Sequence, residues 1–236
     1  MRLGIITAMD KERVRISAML ENRQEIKIEG IQFTGGRCGR QEILLASSGI
    51  GKVNAALGAE AMLRLYRPDA LFSTGVAGGL GAPLEVMDVV AGAEYCYHDV
   101  WCGKPNAKGQ VQGMPERFYG DKKLLNAADM LAMLRAGSKD GGPKICRGLI
   151  VSGDQFIDDR DKLAAIKADF QDALAVDMES AALAHTCHLK QVPFMSLRII
   201  SDVPGTENHS EQYENFWDAL AERSFAITKA FLAALP

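Results

Sequence analysis

The 236-residue chain has no pair of cysteines in CxxC spacing; Cys38, Cys96, Cys102, Cys146 and Cys187 are scattered and odd in number. That fits reduced thiols better than a disulfide framework. An excess of positive charge is also missing. Lysine and arginine number 27 against 30 acidic residues, a formal net charge of -3, so nothing argues for a nucleic-acid partner. No apolar run is long enough to span a bilayer, and no signal peptide follows Met1-Arg2. The expectation is a cytoplasmic protein with no membrane partner. His98, His185, His188 and His209 never fall in HExxH spacing, so no metal is assigned. A GxSxG elbow, a GxxxxGK[ST] loop and a GxGxxG fingerprint are absent as well.

What is present is an alternation of short apolar runs with helical patterns. Strands are expected at 3–8, 42–48, 70–74, 86–97, 148–153, 173–177 and 194–201. Their continuous apolarity suits a sheet covered on both faces. Helices are expected at 10–21, 52–66, 122–136, 159–168, 180–190 and 211–235. Arg67-Pro68 ends the second of these, because proline pushes the residue before it out of the α region. The alternation predicts an α/β fold with a mostly parallel sheet and right-handed crossovers. No repeat or linker divides the chain, so 1–236 reads as a single domain. Residues 101–120 break the rhythm with Gly and Pro among Trp101, Phe118 and Tyr119, which suggests burial against a ligand or another subunit.

Acidic residues stand where strands end. The first strand runs into Met9-Asp10-Lys11-Glu12, the sixth into Asp177-Met178-Glu179, and the last into Ser201-Asp202. Ligands of open α/β sheets bind outside the carboxyl ends of the strands, so these groups are expected to converge on an acidic pocket. Each has a plain alternative. Glu12, Asp177 and Glu179 sit where acidic side chains favour a helix N-terminus. Asp202 could be a turn residue; desolvated at a strand end, it could instead act as an acid. A carboxylate such as Glu179 can accept two adjacent hydroxyls, as ribose offers. Arg198, inside a strand pattern, needs an acidic partner if buried. Ser47-Ser48-Gly49-Ile50-Gly51-Lys52 could seat an anion at a helix N-terminus or be only a tight turn. Gly75-Val76-Ala77-Gly78-Gly79 could let a flat ligand lie against the backbone.

Six stretches together resemble the methylthioadenosine/S-adenosylhomocysteine nucleosidase family of the nucleoside phosphorylase superfamily. They are GIITAMDKE (4–12), SGIGKVNAALGA (48–59), STGVAGGL (73–80), RGLIVSGDQFI (147–157), VDMESAALAH (176–185) and LRIISDV (197–203), in order through nearly the whole chain. The resemblance implies a single-domain three-layer αβα sandwich with a mostly parallel mixed central sheet, nucleoside phosphorylase-like, in a homodimer. It implies hydrolysis of the N-glycosidic bond of an adenine nucleoside without a cofactor. By position, Asp202 would protonate adenine N7 and Glu12 would activate water. Glu179 would bind the ribose hydroxyls and Met178 would pack on the sugar. Phe156 would stack on adenine, and the Ile157 backbone would read its edge. Arg198 would help hold the water, with Met9, Val76, Ala77, Gly78 and Ser201 around the site and Tyr213 beside the sugar.

Glycosidic cleavage through an oxocarbenium-like state needs a protonated leaving group and a base for water, which two carboxylates in different environments supply. A phosphorylase would instead need a cationic site, and Glu12 would repel phosphate there. Two departures stand out. Val76 replaces the serine common in the family, and 101–120 replaces a region that commonly lines the 5′-substituent pocket. Trp101 suits a thioalkyl group, whereas Lys104 and Lys108 suit an anionic one. A related phosphorylase, a nucleosidase for another 5′-group (aminodeoxyfutalosine or AMP) and a non-catalytic nucleoside-binding protein are the alternatives.

Overall fold

The computed structural model describes residues 1–80, 84–136, 143–202 and 217–235. Its strands are β1 (Arg2–Thr7), β2 (Glu21–Ile28), β3 (Ile31–Cys38), β4 (Gln41–Ser47), β5 (Ala70–Gly79), β6 (Val89–Tyr97), β7 (Phe118–Tyr119), β8 (Ile145–Ser152), β9 (Ala173–Asp177) and β10 (Phe194–Asp202). The helices are α1 (Asp10–Ser17), α2 (Lys52–Tyr66), α3 (Lys122–Ala136), α4 (Arg160–Asp169), α5 (Ser180–Lys190) and α6 (Trp217–Ala234). Among the described residues, no helix is long and apolar enough to cross a membrane.

One mixed sheet takes in all ten strands. Parallel ladders join β4, β1, β5 and β10 in turn, and β6, β8 and β9 in turn. Antiparallel pairing of β10 with β6 and of β5 with β9 links these two runs. The strands β5, β10, β6, β8 and β9 therefore close into a ring, and β1, β4, β3 and β2 fan out from β5. Alternation along each strand divides the core. Ile5, Phe72 and Leu197 point to the face covered by α1, α3 and α6, where Phe72 stacks on Phe231 at 4.7 Å. Ile6, Leu71 and Ile200 point to the face covered by α2 and α5. A third cluster, with Leu163, Ile166 and Val151, seats α4.

Several boundaries differ from the sequence expectation. The first helix ends at Ser17, and an antiparallel hairpin, β2–β3, occupies 21–38 where no strand is expected. β2 is exposed along nearly its whole length and has only Ile26 and Ile28 as apolar residues, too few to read a hydrophobic period. β5 runs on through the glycine segment to Gly79, because β10 pairs with it on one side and β9 on the other. α2 ends where expected, before Arg67, which takes a left-handed conformation (φ 48°) and donates its N–H back to the Leu63 carbonyl. In 101–120, Phe118 is buried and stacks on His185 at 4.7 Å, whereas Trp101 and Tyr119 lie exposed. The expected 211–216 portion of the last helix lies outside the described residues.

Candidate active site

The carboxyl ends of β1, β5, β9 and β10 meet at one cleft of about 140 Å3. It is lined by Met9, Glu12, Val76, Ala77, Gly78, Phe156, Ile157, Met178, Glu179, Arg198, Ser201 and Asp202. Every described residue expected at the site is therefore brought together; Tyr213 lies outside the described residues. Asp10 is not part of the cleft. It is exposed and pairs with Arg13 at 3.0 Å.

Arg198 organises the floor. Its guanidinium is buried within β10 and donates from Nε to Asp177 Oδ2 at 2.7 Å and from both terminal nitrogens to Ser73 Oγ at 3.1 Å. Asp177 also accepts from Ser152 Oγ and Ser180 Oγ, each at 2.5 Å, and from the Ser180 N–H at the start of α5. Of the two carboxylates in Asp177-Met178-Glu179, the first is thus the capping and pairing group. Burial works against the Arg198 charge, but Asp177 and Glu179 hold its pKa above the ordinary arginine value.

Glu179 turns away from its own helix and accepts the Gly51 N–H at 2.9 Å. The next amide, Lys52 N–H, donates to Asp154 Oδ1 at 2.7 Å. The glycine turn before α2 is therefore filled by the protein's own carboxylates, which rules out a vacant anion seat at these two amides. Burial raises the Glu179 pKa, and repulsion from Asp177 adds to the rise.

Glu12 lies in the first turn of α1, buried, and accepts the Met9 N–H at 3.2 Å. That is its expected helix-end role, and it leaves the carboxylate facing the cleft. Burial pushes its pKa up to about 7 against the opposing pull of the Met9 N–H and of Arg198. Gly75 makes room for it: a Cβ there would lie 3.0 Å from Glu12 Oε1.

Asp202 is buried at the end of β10. The β10–β5 register shifts between Ile200 and Asp202, so Ser201 is an inserted residue. Such bulges re-aim side chains. Here the bulge lets neighbouring residues both reach the cleft, and Ser201 Oγ donates to Asp202 Oδ1 at 2.5 Å. Phe156 is 51% exposed at the rim.

Sequence reasoning missed Ser73, which orients Arg198, and Ser152, which orients Asp177. Lone serines carry no local signal of such roles. Ile50 and Gln155 also line the cleft. Of the features assigned to 101–120, Lys108 is engaged with Asp169 at 3.4 Å, and Trp101 is not part of the cleft wall.

Residues 2–233 match the family model of the phosphorylase superfamily, which defines the class of this fold and cleft. A methylthioadenosine/S-adenosylhomocysteine nucleosidase from Neisseria meningitidis, solved with methylthio-immucillin-A, is 34% identical, with a TM-score of 0.92 and 99% of each chain covered. Its counterpart from Colwellia psychrerythraea, solved with adenine, is 31% identical, with a TM-score of 0.93, covering 100% of this chain and 96% of that one. A futalosine hydrolase mutant from Helicobacter pylori is 27% identical, with a TM-score of 0.90 and 99% of each chain covered. The chain belongs to the phosphorylase superfamily and, within it, to the methylthioadenosine/S-adenosylhomocysteine nucleosidase family.

Proposed function

We propose that this protein is an N-glycosyl hydrolase that cleaves methylthioadenosine and S-adenosylhomocysteine to adenine and the thiopentose. The observation that carries the reading is the meeting of Glu12, Glu179, Arg198 and Asp202 in one buried cleft. Asp202, steadied by Ser201, gives a proton to adenine N7 as the glycosidic bond lengthens. Glu12 takes a proton from the water that attacks the anomeric carbon, and a base with a pKa near 7 suits that task. Glu179 accepts the ribose hydroxyls, and Met178 packs on the sugar. Phe156 stacks on the base, and the Ile157 backbone reads its edge. Arg198 holds the water side of the cleft, and Met9, Val76, Ala77 and Gly78 form its walls. Tyr213 belongs beside the sugar. Water and nucleoside enter, adenine and free sugar leave, and each carboxyl ends with the proton state that solvent exchange resets. No cofactor takes part.

Hydrolysis is favoured over phosphorolysis because Glu12 faces the cleft, where its carboxylate would repel phosphate. The protein acts as one domain over 1–236, in the cytoplasm and in methionine salvage; its five free cysteines suit a reducing compartment. It acts as a homodimer: Val53 and Leu57 form an exposed apolar stripe on α2, continuous with the cleft residue Ile50. A second reading, a 5′-group like that of futalosine, is favoured only by the Helicobacter relative.

The test is incubation with methylthioadenosine in phosphate-free buffer, with S-adenosylhomocysteine, AMP, aminodeoxyfutalosine and inosine in parallel. Adenine with free methylthioribose is expected. Turnover that appears only on adding phosphate would make the protein a phosphorylase. Intact nucleoside bound without cleavage would make it a binding protein.

A further inference from the structure

We propose that Lys52, Asp99 and Asp154 form a clamp that sets the spacing between the sugar half and the base half of the nucleoside site. The inference rests on the nucleosidase reading above. The three residues come from separate parts of the chain: Lys52 opens α2, Asp99 follows β6, and Asp154 follows β8. None of them lines the cleft.

Their bonds close a triangle. Asp99 Oδ2 accepts from Lys52 Nζ at 2.7 Å and from the Asp154 backbone N–H at 3.0 Å. Asp154 Oδ1 accepts the Lys52 backbone N–H at 2.7 Å. Lys52 thus donates to both aspartates, and Asp154 donates to Asp99 while accepting from Lys52. Residues next in sequence do the binding. On the α2 side, Gly51 N–H fixes Glu179, the ribose carboxylate. On the β8 side, Gln155, Phe156 and Ile157 form the base wall. A shift of the joint would change the distance between those two halves.

The joint is tight and partly shielded. A Cβ on Gly51 would lie 2.9 Å from Asp154 Oδ1, and one on Gly153 would lie 2.9 Å from Asp99 Cγ. The Lys52 and Asp99 side chains are 24% and 16% exposed, so their attraction is less screened than that of a surface pair. The Tyr97 ring, 5.5 Å from Lys52 Nζ, adds a cation–π contact. Burial alone would raise the Asp99 pKa, yet the bonds from Lys52 and Asp154 leave it below the ordinary value. The geometry makes Lys52, Asp99 and Asp154 positioning residues, acting through Glu179 and Phe156.

The experiment compares the full-length protein with Lys52→Met, Asp99→Asn, the double variant and Lys52→Arg. It measures kcat and KM for methylthioadenosine, and the Kd of adenine and of an adenosine analogue with an uncleavable carbon–carbon glycosidic link. Melting temperature is followed throughout. The clamp predicts a fall in kcat/KM of about 10- to 100-fold, mostly in KM, as a sub-ångström to 1 Å misplacement produces. The analogue should weaken in step while adenine scarcely moves, because adenine touches only one half of the site. The double variant should be no worse than the worse single one, and Lys52→Arg should keep part of the activity.

Folded variants with unaltered kcat/KM and analogue affinity would overturn the clamp. So would equal weakening of adenine and analogue, or losses that merely follow the melting temperature. Failure of the nucleosidase reading shows separately: the unsubstituted protein would not cleave methylthioadenosine, whether or not it bound the analogue.

Discussion

Arg198 and Asp177 meet at 2.7 Å, with side chains only 3% and 2% exposed. The pair fixes the end of β9, the start of α5 and the middle of β10 against one another. Breaking it leaves a guanidinium with no nearby counter-charge of equal quality. Asp177→Ala is expected to destabilise the fold by about 3–5 kcal/mol. Denaturant unfolding checks this, and a loss within the range of ordinary surface substitutions would refute it.

Asp202→Asn keeps the shape of the side chain and removes the acid function proposed for it. Turnover of methylthioadenosine should fall roughly 100- to 10,000-fold, the range for loss of a general acid, with the melting temperature little changed. Near-normal turnover would remove Asp202 from the acid role.

Glu12 links activity and stability to pH in opposite directions. In the base role proposed for it Glu12 must be ionised, so kcat/KM should drop as pH falls through about 7. For stability, the folded pKa of about 7 lies above the ordinary 4.5, so the folded state binds the extra proton. Its stabilising contribution is full below pH 4.5 and is lost as pH rises through 7. His98 and His185, whose pKa values burial lowers, act in the other sense: stability is lost as pH falls below 6.5. The comparison of melting temperature between wild type and Glu12→Gln across this window isolates the glutamate. A pH-independent difference would contradict its raised pKa.

Gly75→Ala tests the room left for that base. The added methyl would lie 3.0 Å from Glu12 Oε1 and 3.6 Å from Arg198 Nη1. The carboxylate must yield by a few tenths of an ångström. The expected cost is on the order of 10-fold in kcat, short of the ~100-fold that follows a 1 Å misplacement. Single-turnover kinetics reads it directly.

Much of this site could be read in the chain because its functional groups follow strand ends, and an apolar run that stops at a carboxylate is visible locally. Glu12, Glu179 and Asp202 were legible in that way, and Arg198 as a charge inside an apolar strand that needs an acidic partner. Division of labour within Asp177-Met178-Glu179 was not, since the partners of the two carboxylates, Arg198 and Gly51, lie 21 and 128 residues away. The hairpin β2–β3 was hidden by its charge and by Gly35-Gly36, which resemble a turn. Gly36 is instead a close approach, where a Cβ would meet the Glu21 carbonyl at 2.9 Å. The reach of β5 to Gly79 was equally nonlocal, because it depends on β9 and β10 flanking it.

The filled turn before α2 has a consequence for the direction of chemistry. Its amides are committed to Glu179 and Asp154 and so are not open to an inorganic anion, and in the hydrolysis proposed above water accepts the pentose. A pentose handed to phosphate keeps an activated bond and can be returned to a base. One handed to water cannot. A hydrolase of this kind is a one-way drain on its nucleosides, which cannot be remade by running the step backwards.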